Sequence, residues 1–247
     1  MPFPSSFMPT VLQRAGDRAL ELLFPPICAA CSADIEPSAT WLRLCESCIN
    51  RLPLVREPVC PCCALPVPST AGVDLECPHC ARQALRFDRS FAIGWYDGLL
   101  RNLVLRMKTD GRGLIAEALG DLAVAHVADY FTSQPVDMIV PAPMHWRREW
   151  QRGANAPALF SSALARRWGR PLRLRMLRRS RHVPRQAGLS RQGRFRNVRR
   201  EIEVSRRDDL RGARVLLVDD VMTTGATSSE SARALKLAGV EHVTVLV

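Results

Sequence analysis

Lysine is nearly missing from this chain. Only Lys108 and Lys236 occur among 247 residues, so arginine carries almost all of the excess behind a net charge of +11. No run reaches the roughly 18 to 20 apolar residues that a membrane-crossing helix needs, which argues against membrane insertion. The N-terminal stretch lacks a basic segment followed by an apolar core, so no secretory signal is read there and a cytoplasmic location is expected. Cysteine is absent after Cys80. Neither a Gly-Lys-Ser/Thr nor a G-x-G-x-x-G pattern is present, which excludes a Walker A loop and a Rossmann dinucleotide loop.

What remains is a chain of ordinary globular composition, 47% apolar and 24% charged, long enough for one sizeable core plus a small module. Eight of the nine cysteines form four C-x-x-C pairs: Cys28/Cys31, Cys45/Cys48, Cys60/Cys63 and Cys77/Cys80. Thirteen residues separate the first pair from the second, and again the third from the fourth, so the segment is a tandem repeat. A C-x-x-C turn puts two sulfurs on one side of a knuckle, and two knuckles close a tetrahedron around Zn2+. Disulfides fit poorly with a reducing cytoplasm. Four ligands per ion leave no open position, so two structural zinc ions are expected, each contributing on the order of 10 kcal/mol to folding. Pairing can be sequential or interleaved, and Cys62 is an alternative to Cys63 as ligand.

Beyond the cysteines the pattern changes near residues 82–87. Leu12, Leu20, Leu22 and Leu23 fit a short N-terminal helix, so residues 1–84 read as that helix plus a double zinc ribbon. Residues 85–247 alternate strand and helix patterns. "FDRSFAIGWY", "VDMIVPAP", "RVLLVDD" and "HVTVLV" read as strands. "LLRNLVLRM", "LIAEALGDLAVAHVADYF", "APALFSSALARRWG" and "SSESARALKLAGV" read as helices, the last with serine caps. Such alternation predicts an α/β domain with a mostly parallel sheet covered by helices on both faces.

The chemistry concentrates in "VLLVDDVMTTGAT", Val215 to Thr227. A buried strand runs straight into Asp219 and Asp220, at the edge where open α/β sheets bind ligands. Carboxylates there accept hydrogen bonds from vicinal hydroxyls such as a ribose O2 and O3. The next residues turn into a helix start, where Gly225 lets the backbone approach closely while threonine hydroxyls and main-chain N–H groups suit a phosphate. Acids on the sugar side and donors on the anionic side match a ribose 5-phosphate. A plain strand–turn–helix in which the aspartates only cap the helix is the alternative.

This stretch resembles the PRPP-binding signature of type I phosphoribosyltransferases. The resemblance implies that Asp219 and Asp220 hold the ribose hydroxyls and serve as the catalytic carboxylates if turnover occurs. It implies that Thr223, Thr224, Gly225, Ala226 and Thr227 hold the 5-phosphate, with Mg2+ accompanying PRPP. Zinc ribbons ahead of such a domain, with "IVPAPMHWRREWQRGAN" and "RQAGLSRQGRFRNV", resemble the ComF competence family over nearly the whole chain. In that family the turn at Val140, Pro141, Ala142 and Pro143 presents amides to pyrophosphate. Arg152, Gly153 and Asn155 match the family's R-G-F-N-Q segment, whereas Ala154 and Ala156 depart from it. Gln186, Leu189, Arg194 and Asn197 match later positions, and Val183 replaces a threonine. Lys108 stands where the family carries a lysine after an apolar helix, which suits either pyrophosphate neutralisation or a solvated helix end.

Two functions follow from the resemblance. One is a PRPP-binding protein that handles single-stranded DNA, with DNA-uptake proteins as partners, during natural transformation. The other is an active phosphoribosyltransferase of salvage or biosynthesis. Eighteen arginines between Arg166 and Arg214, against Glu201, Glu203, Asp208 and Asp209, fit a polyanion surface or a solvated basic face equally. Trp146 and Trp150, beside Arg147, Arg148 and Arg152, either stack on bases or pack inward.

Overall fold

The structure is a computed structural model and describes residues 27–35, 42–67, 77–81, 85–110, 113–144, 155–179, 201–205 and 209–247. The N-terminal helix expected around Leu12–Leu23 lies outside these residues, as do Trp146, Trp150, Arg152, Val183, Gln186, Leu189, Arg194 and Asn197. In chain order the elements are α1 (Glu46–Asn50), α2 (Pro78–Ala81), β1 (Arg89–Phe91), α3 (Gly98–Met107), α4 (Leu114–Ser133), β2 (Met138–Pro141) and α5 (Ala156–Trp168). They continue with β3 (Leu177–Arg179), β4 (Ile202–Val204), β5 (Arg214–Val218), α6 (Ala226–Leu237) and β6 (His242–Leu246).

β5 and β6 are apolar runs without alternation, the pattern of strands covered on both faces. They occupy the centre of a four-stranded parallel sheet ordered β1-β6-β5-β2. Side chains alternate across it. Leu216 and Val218 enter one apolar cluster with Leu103, Met107, Leu119 and Phe160 from α3, α4 and α5. Val215 and Leu217 enter a second cluster with Leu235 of α6, Phe87 and Ile202.

Glycine sets the spacing where α4 crosses α5. A Cβ at Gly120 would stand 2.8 Å from the Ala163 Cβ, so only glycine permits that approach. The next residue, Asp121, is buried, and Arg167 of α5 meets it at 3.1 Å. That pairing offsets only part of its desolvation, because burial still pushes the Asp121 carboxyl upward. α5 starts on Asn155, whose Oδ1 accepts from the Ala158 N–H, and stops at Gly169 in the left-handed region.

The cysteine-rich part is fastened to this domain twice. Leu44 and Leu52 share the cluster of α3, and the Arg106 guanidinium donates to the Ala29 and Ala30 carbonyls of the first knuckle at 3.3 and 2.7 Å. Between the two ribbons, Val55 N–H donates to the Ile93 carbonyl and Trp95 N–H to the Pro53 carbonyl. A Cβ at Gly94 would stand 2.6 Å from the Pro53 oxygen, so this crossing requires glycine.

Three expectations need correction. "FDRSFAIGWY" is a sheet strand only over Arg89–Phe91: Ile93 N–H still reaches the Val247 carbonyl, but the Ile93 carbonyl and the Trp95 N–H pair with the ribbon linker. The last helix begins at Ala226 rather than at the serines, with Gly225 as its cap, so Ser228 and Ser229 are buried in its first turn. The antiparallel β3–β4 pair was not expected at all, since three-residue strands in arginine-rich surroundings carry no period-2 signal.

Candidate functional site

Parallel pairing brings the ends of β2, β5 and β6 to one level. Pro141 is registered with Val218, and Val218 with Leu246. Asp219 N–H donates to the Leu246 carbonyl at 3.0 Å, which carries the sheet one residue further and fixes where the carboxylates emerge. Asp219 Oδ1 then accepts from the Asp220 N–H at 2.9 Å. Two adjacent acids at a half-buried edge repel each other. Burial first, and the Asp220 carboxylate second, push the Asp219 carboxyl up to about 8.

Lys108 answers that repulsion. It caps α3, and its Nζ lies 2.7 Å from Asp220 Oδ2 with both side chains largely shielded. The structure therefore places Lys108 in the carboxylate pair's own charge balance. The positions are far apart in sequence, and the signals for Lys108 were the lysine's rarity and its match to the family's lysine after an apolar helix.

After Asp220 the chain turns through Thr223 and Thr224 to Gly225, which sits in the left-handed region at φ 71°. A Cβ there would stand 3.3 Å from Leu85 Cδ2, so conformation and space both call for glycine. Thr224 Oγ1 accepts a long hydrogen bond of 3.4 Å from the Ala226 N–H. Ala226, Thr227 and Ser228 then form the first turn of the 12-residue α6, where N–H groups have no intrahelical acceptor. Carboxylates and N–H donors thus stand on successive parts of one loop.

The neighbouring turn is placed beside this loop but is built differently from expectation. Pro141 and Pro143 carry no N–H, and Ala142 donates its own to the Val218 carbonyl at 2.8 Å. The N–H of Ala142 is therefore not free for a ligand. Asn155 is occupied with capping α5, and Arg152 lies outside the described residues.

A cavity of about 450 Å³ opens next to Asp220. Its walls come from Val221 and Met222 of the loop, Leu65 of the second ribbon, and the Trp95–Tyr96 turn after β1. Both aromatics are exposed at over two-fifths of their surface. Sequence reading assigned them to a strand, and only the glycine before them hinted at a crossing.

The cysteines gather into two sets, Cys28/Cys31/Cys45/Cys48 and Cys60/Cys63/Cys77/Cys80, with ligand atoms of each set within 4.8 Å of one another. Pairing is sequential, and Cys62 stands outside the second set, its carbonyl accepting from Ser90 Oγ. Cys31–Cys45, Cys60–Cys80 and Cys63–Cys77 sulfurs are each 3.7 Å apart. A tetrahedron with Zn–S bonds of about 2.3 Å has edges of about 3.8 Å, so both sets fit the ion. Burial opposes ionisation of Cys28, yet main-chain N–H groups, that of Cys45 foremost, hold its thiol down at about 6. Burial and the crowding of neighbouring thiols push Cys48 strongly upward. Four sulfurs this close ionise together only around a cation.

Two cysteine quartets ahead of a parallel sheet, with an acidic pair and a glycine-started helix at its carboxyl edge, define a zinc-ribbon protein with a phosphoribosyltransferase-like domain. The double zinc ribbon domain model matches residues 19–84 and the phosphoribosyl transferase domain model residues 156–247. The DNA utilization protein YhgH of Salmonella typhi is 31% identical over 91% of this chain and 96% of its own length. Competence protein F of Haemophilus influenzae is 29% identical over 81% of this chain and 94% of its own. A solved adenine phosphoribosyltransferase from Rhodothermus marinus overlaps 51% of this chain and 64% of its own at 21% identity, with a TM-score of 0.35. The chain belongs to the ComF competence family.

Proposed function

We propose that this protein binds PRPP or a related phosphoribosyl ligand at the carboxyl edge of its sheet and handles single-stranded DNA in natural transformation. The observation that carries the proposal is one loop presenting Asp219 and Asp220, with Lys108 on the second acid, directly before the start of α6. In this reading the two carboxylates accept the ribose hydroxyls, and Thr223 to Thr227 donate to the 5-phosphate. Mg2+ arrives with PRPP and would neutralise pyrophosphate charge. Asp219 and Asp220 are the carboxylates on this loop that would hold it. The domains in this proposal are the ribbons up to residue 84 and the phosphoribosyl-binding part from residue 85. The zinc ions stiffen the ribbons and take no part in ligand chemistry.

Exposed Arg170, Arg173, Arg175 and Arg178, after α5, support the DNA part of the reading. The names of the two relatives, a competence protein and a DNA utilization protein, point the same way. Titration calorimetry with PRPP and Mg2+ tests the ligand. Binding that Asp219→Asn and Asp220→Asn each weaken ten-fold or more is expected, and equal affinity in the variants would remove the ribose role. Single-strand binding measured against salt tests the DNA role. A steep fall of affinity with salt is expected, and a flat response would contradict an arginine-based phosphate grip.

A second reading, an active phosphoribosyltransferase, draws on the same acids and on the cavity beside Asp220. An incoming nitrogen would attack the anomeric carbon as pyrophosphate leaves, with the carboxylates favouring the positive charge that develops on the ring. Pyrophosphate release across a panel of bases supports this reading, and silence while PRPP still binds removes it.

A further inference from the structure

Two zinc sites use eight of the nine cysteines, and the ninth stands against a ligand. The Cys62 thiol is hydrogen-bonded to the Cys80 thiol. Cys80 belongs to the second quartet, where its sulfur lies 3.7 Å from that of Cys60. Five thiols therefore gather at a site with four places. The first quartet, Cys28/Cys31/Cys45/Cys48, has no fifth cysteine beside it among the described residues.

The fold holds Cys62 in that position. Its carbonyl accepts from Ser90 Oγ at 2.7 Å, and the Pro61 carbonyl accepts from the Ser90 N–H at 3.0 Å, so the knuckle is tied to the outer edge of β1. The half-buried Cys62 side chain packs, as Leu85 and Met222 do, against the cluster that includes Phe87 and Ala226. Filling space is the ordinary role of such a cysteine. Contact with Cys80 adds a chemical one. A zinc-bound thiolate remains a nucleophile towards peroxides, and a neighbouring thiol that is not committed to the metal is placed to capture the oxidised product. In the first quartet any capturing thiol must leave the ion beforehand.

We propose that Cys62 is the resolving thiol of a peroxide-sensitive zinc site, where a Cys62–Cys80 disulfide forms and the second zinc ion leaves while the first stays. In the first step the Cys80 thiolate attacks one oxygen of hydrogen peroxide, the O–O bond breaks, and Cys80 becomes a sulfenic acid as hydroxide departs. In the second, the Cys62 sulfur attacks the sulfenic sulfur, the S–O bond breaks, and the Cys62 proton leaves with that oxygen as water. The two sulfurs together lose two electrons, and one peroxide gains them. Cys60, Cys63 and Cys77 cannot close a tetrahedron alone, so the ion passes to a chelator. A dithiol reverses the bond by exchange and lets zinc return. The knuckle that loosens is the one tied to β1 through Ser90. This chemistry depends on neither the phosphoribosyl nor the DNA reading.

The test treats the full zinc-loaded chain with hydrogen peroxide in the presence of a zinc-binding dye, then alkylates the protein and maps its cysteines by mass spectrometry. One zinc ion per chain should leave about ten-fold faster than the other, together with a Cys62–Cys80 disulfide. Dithiothreitol with added Zn2+ should restore the starting state. Cys62→Ser should still load both ions, because Cys62 stands outside the quartet, and should lose the fast phase. Release of both ions at one rate, a fast phase that survives Cys62→Ser, or a disulfide confined to the four ligands would each overturn the proposal. Should the variant fail to load zinc, the wild-type map decides alone. Cys62 recovered as a free thiol once the first ion has left would then overturn the proposal, and Cys62 recovered bonded to Cys80 would uphold it.

Discussion

Replacing Asp219 by asparagine should make the unliganded protein more stable while weakening its site. Burial and Asp220 raise the Asp219 carboxyl from 3.8 to about 8. Between those values the native state binds the proton more tightly than the unfolded chain does, so stability falls as pH rises through that window. At about 1.4 kcal/mol per unit, the shift sets a ceiling of about 6 kcal/mol on the destabilisation above pH 8. Relaxation and water at the half-buried edge reduce it, and about 1–3 kcal/mol is expected. An asparagine keeps the shape and carries no charge. The melting temperatures of wild type and Asp219→Asn should coincide near pH 4 and diverge towards pH 8.5. There the variant leads by several degrees, since 1 kcal/mol moves Tm by about 2–4 °C for a chain of this size. A difference that does not change with pH, or a variant that melts first at pH 8.5, would refute the reasoning.

Other perturbations probe the supports of the same site. Lys108→Ala leaves Asp220 beside Asp219 without its 2.7 Å partner, and should cost about 2 kcal/mol at pH 8 in denaturant melts. Most of that cost should disappear in the Asp219→Asn background, and purely additive effects would contradict the coupling. Gly225→Ala forces a side chain into the left-handed region against Leu85, and should cost about 1–2 kcal/mol and loosen ribose 5-phosphate binding. Unchanged stability would show that the turn relaxes freely. Metal analysis should find two zinc ions per chain, with Cys31→Ser and Cys80→Ser each losing one. The first loss should lower the melting temperature of the whole protein, because Leu44 and Leu52 of that ribbon share a core with Leu103.

Much of this architecture could be read from local pattern. β5 and β6 declare themselves because buried parallel strands are continuous apolar runs. α4 and α5 declare themselves by helical length and by the glycine stop at Gly169. The cysteine repeat fixes both quartets, although spacing alone leaves sequential and interleaved pairing open. Ser228 and Ser229 misled because a helix start with glycine in the left-handed region needs no hydroxyl cap, so the helix could begin two residues earlier. The Lys108–Asp220 pair, the Arg106 grip on the first knuckle and the Trp95–Tyr96 wall were out of reach. Each joins segments distant in sequence, and no periodicity encodes such a meeting.

The most direct measurement of the central claim is a crystal structure of the full chain soaked with PRPP and Mg2+. The ribose O2 and O3 should lie within hydrogen-bond distance of Asp219 and Asp220, and the 5-phosphate should rest on the main-chain N–H groups from Thr223 to Thr227. A ligand bound elsewhere on the chain, or a phosphate facing away from the start of α6, would contradict the account.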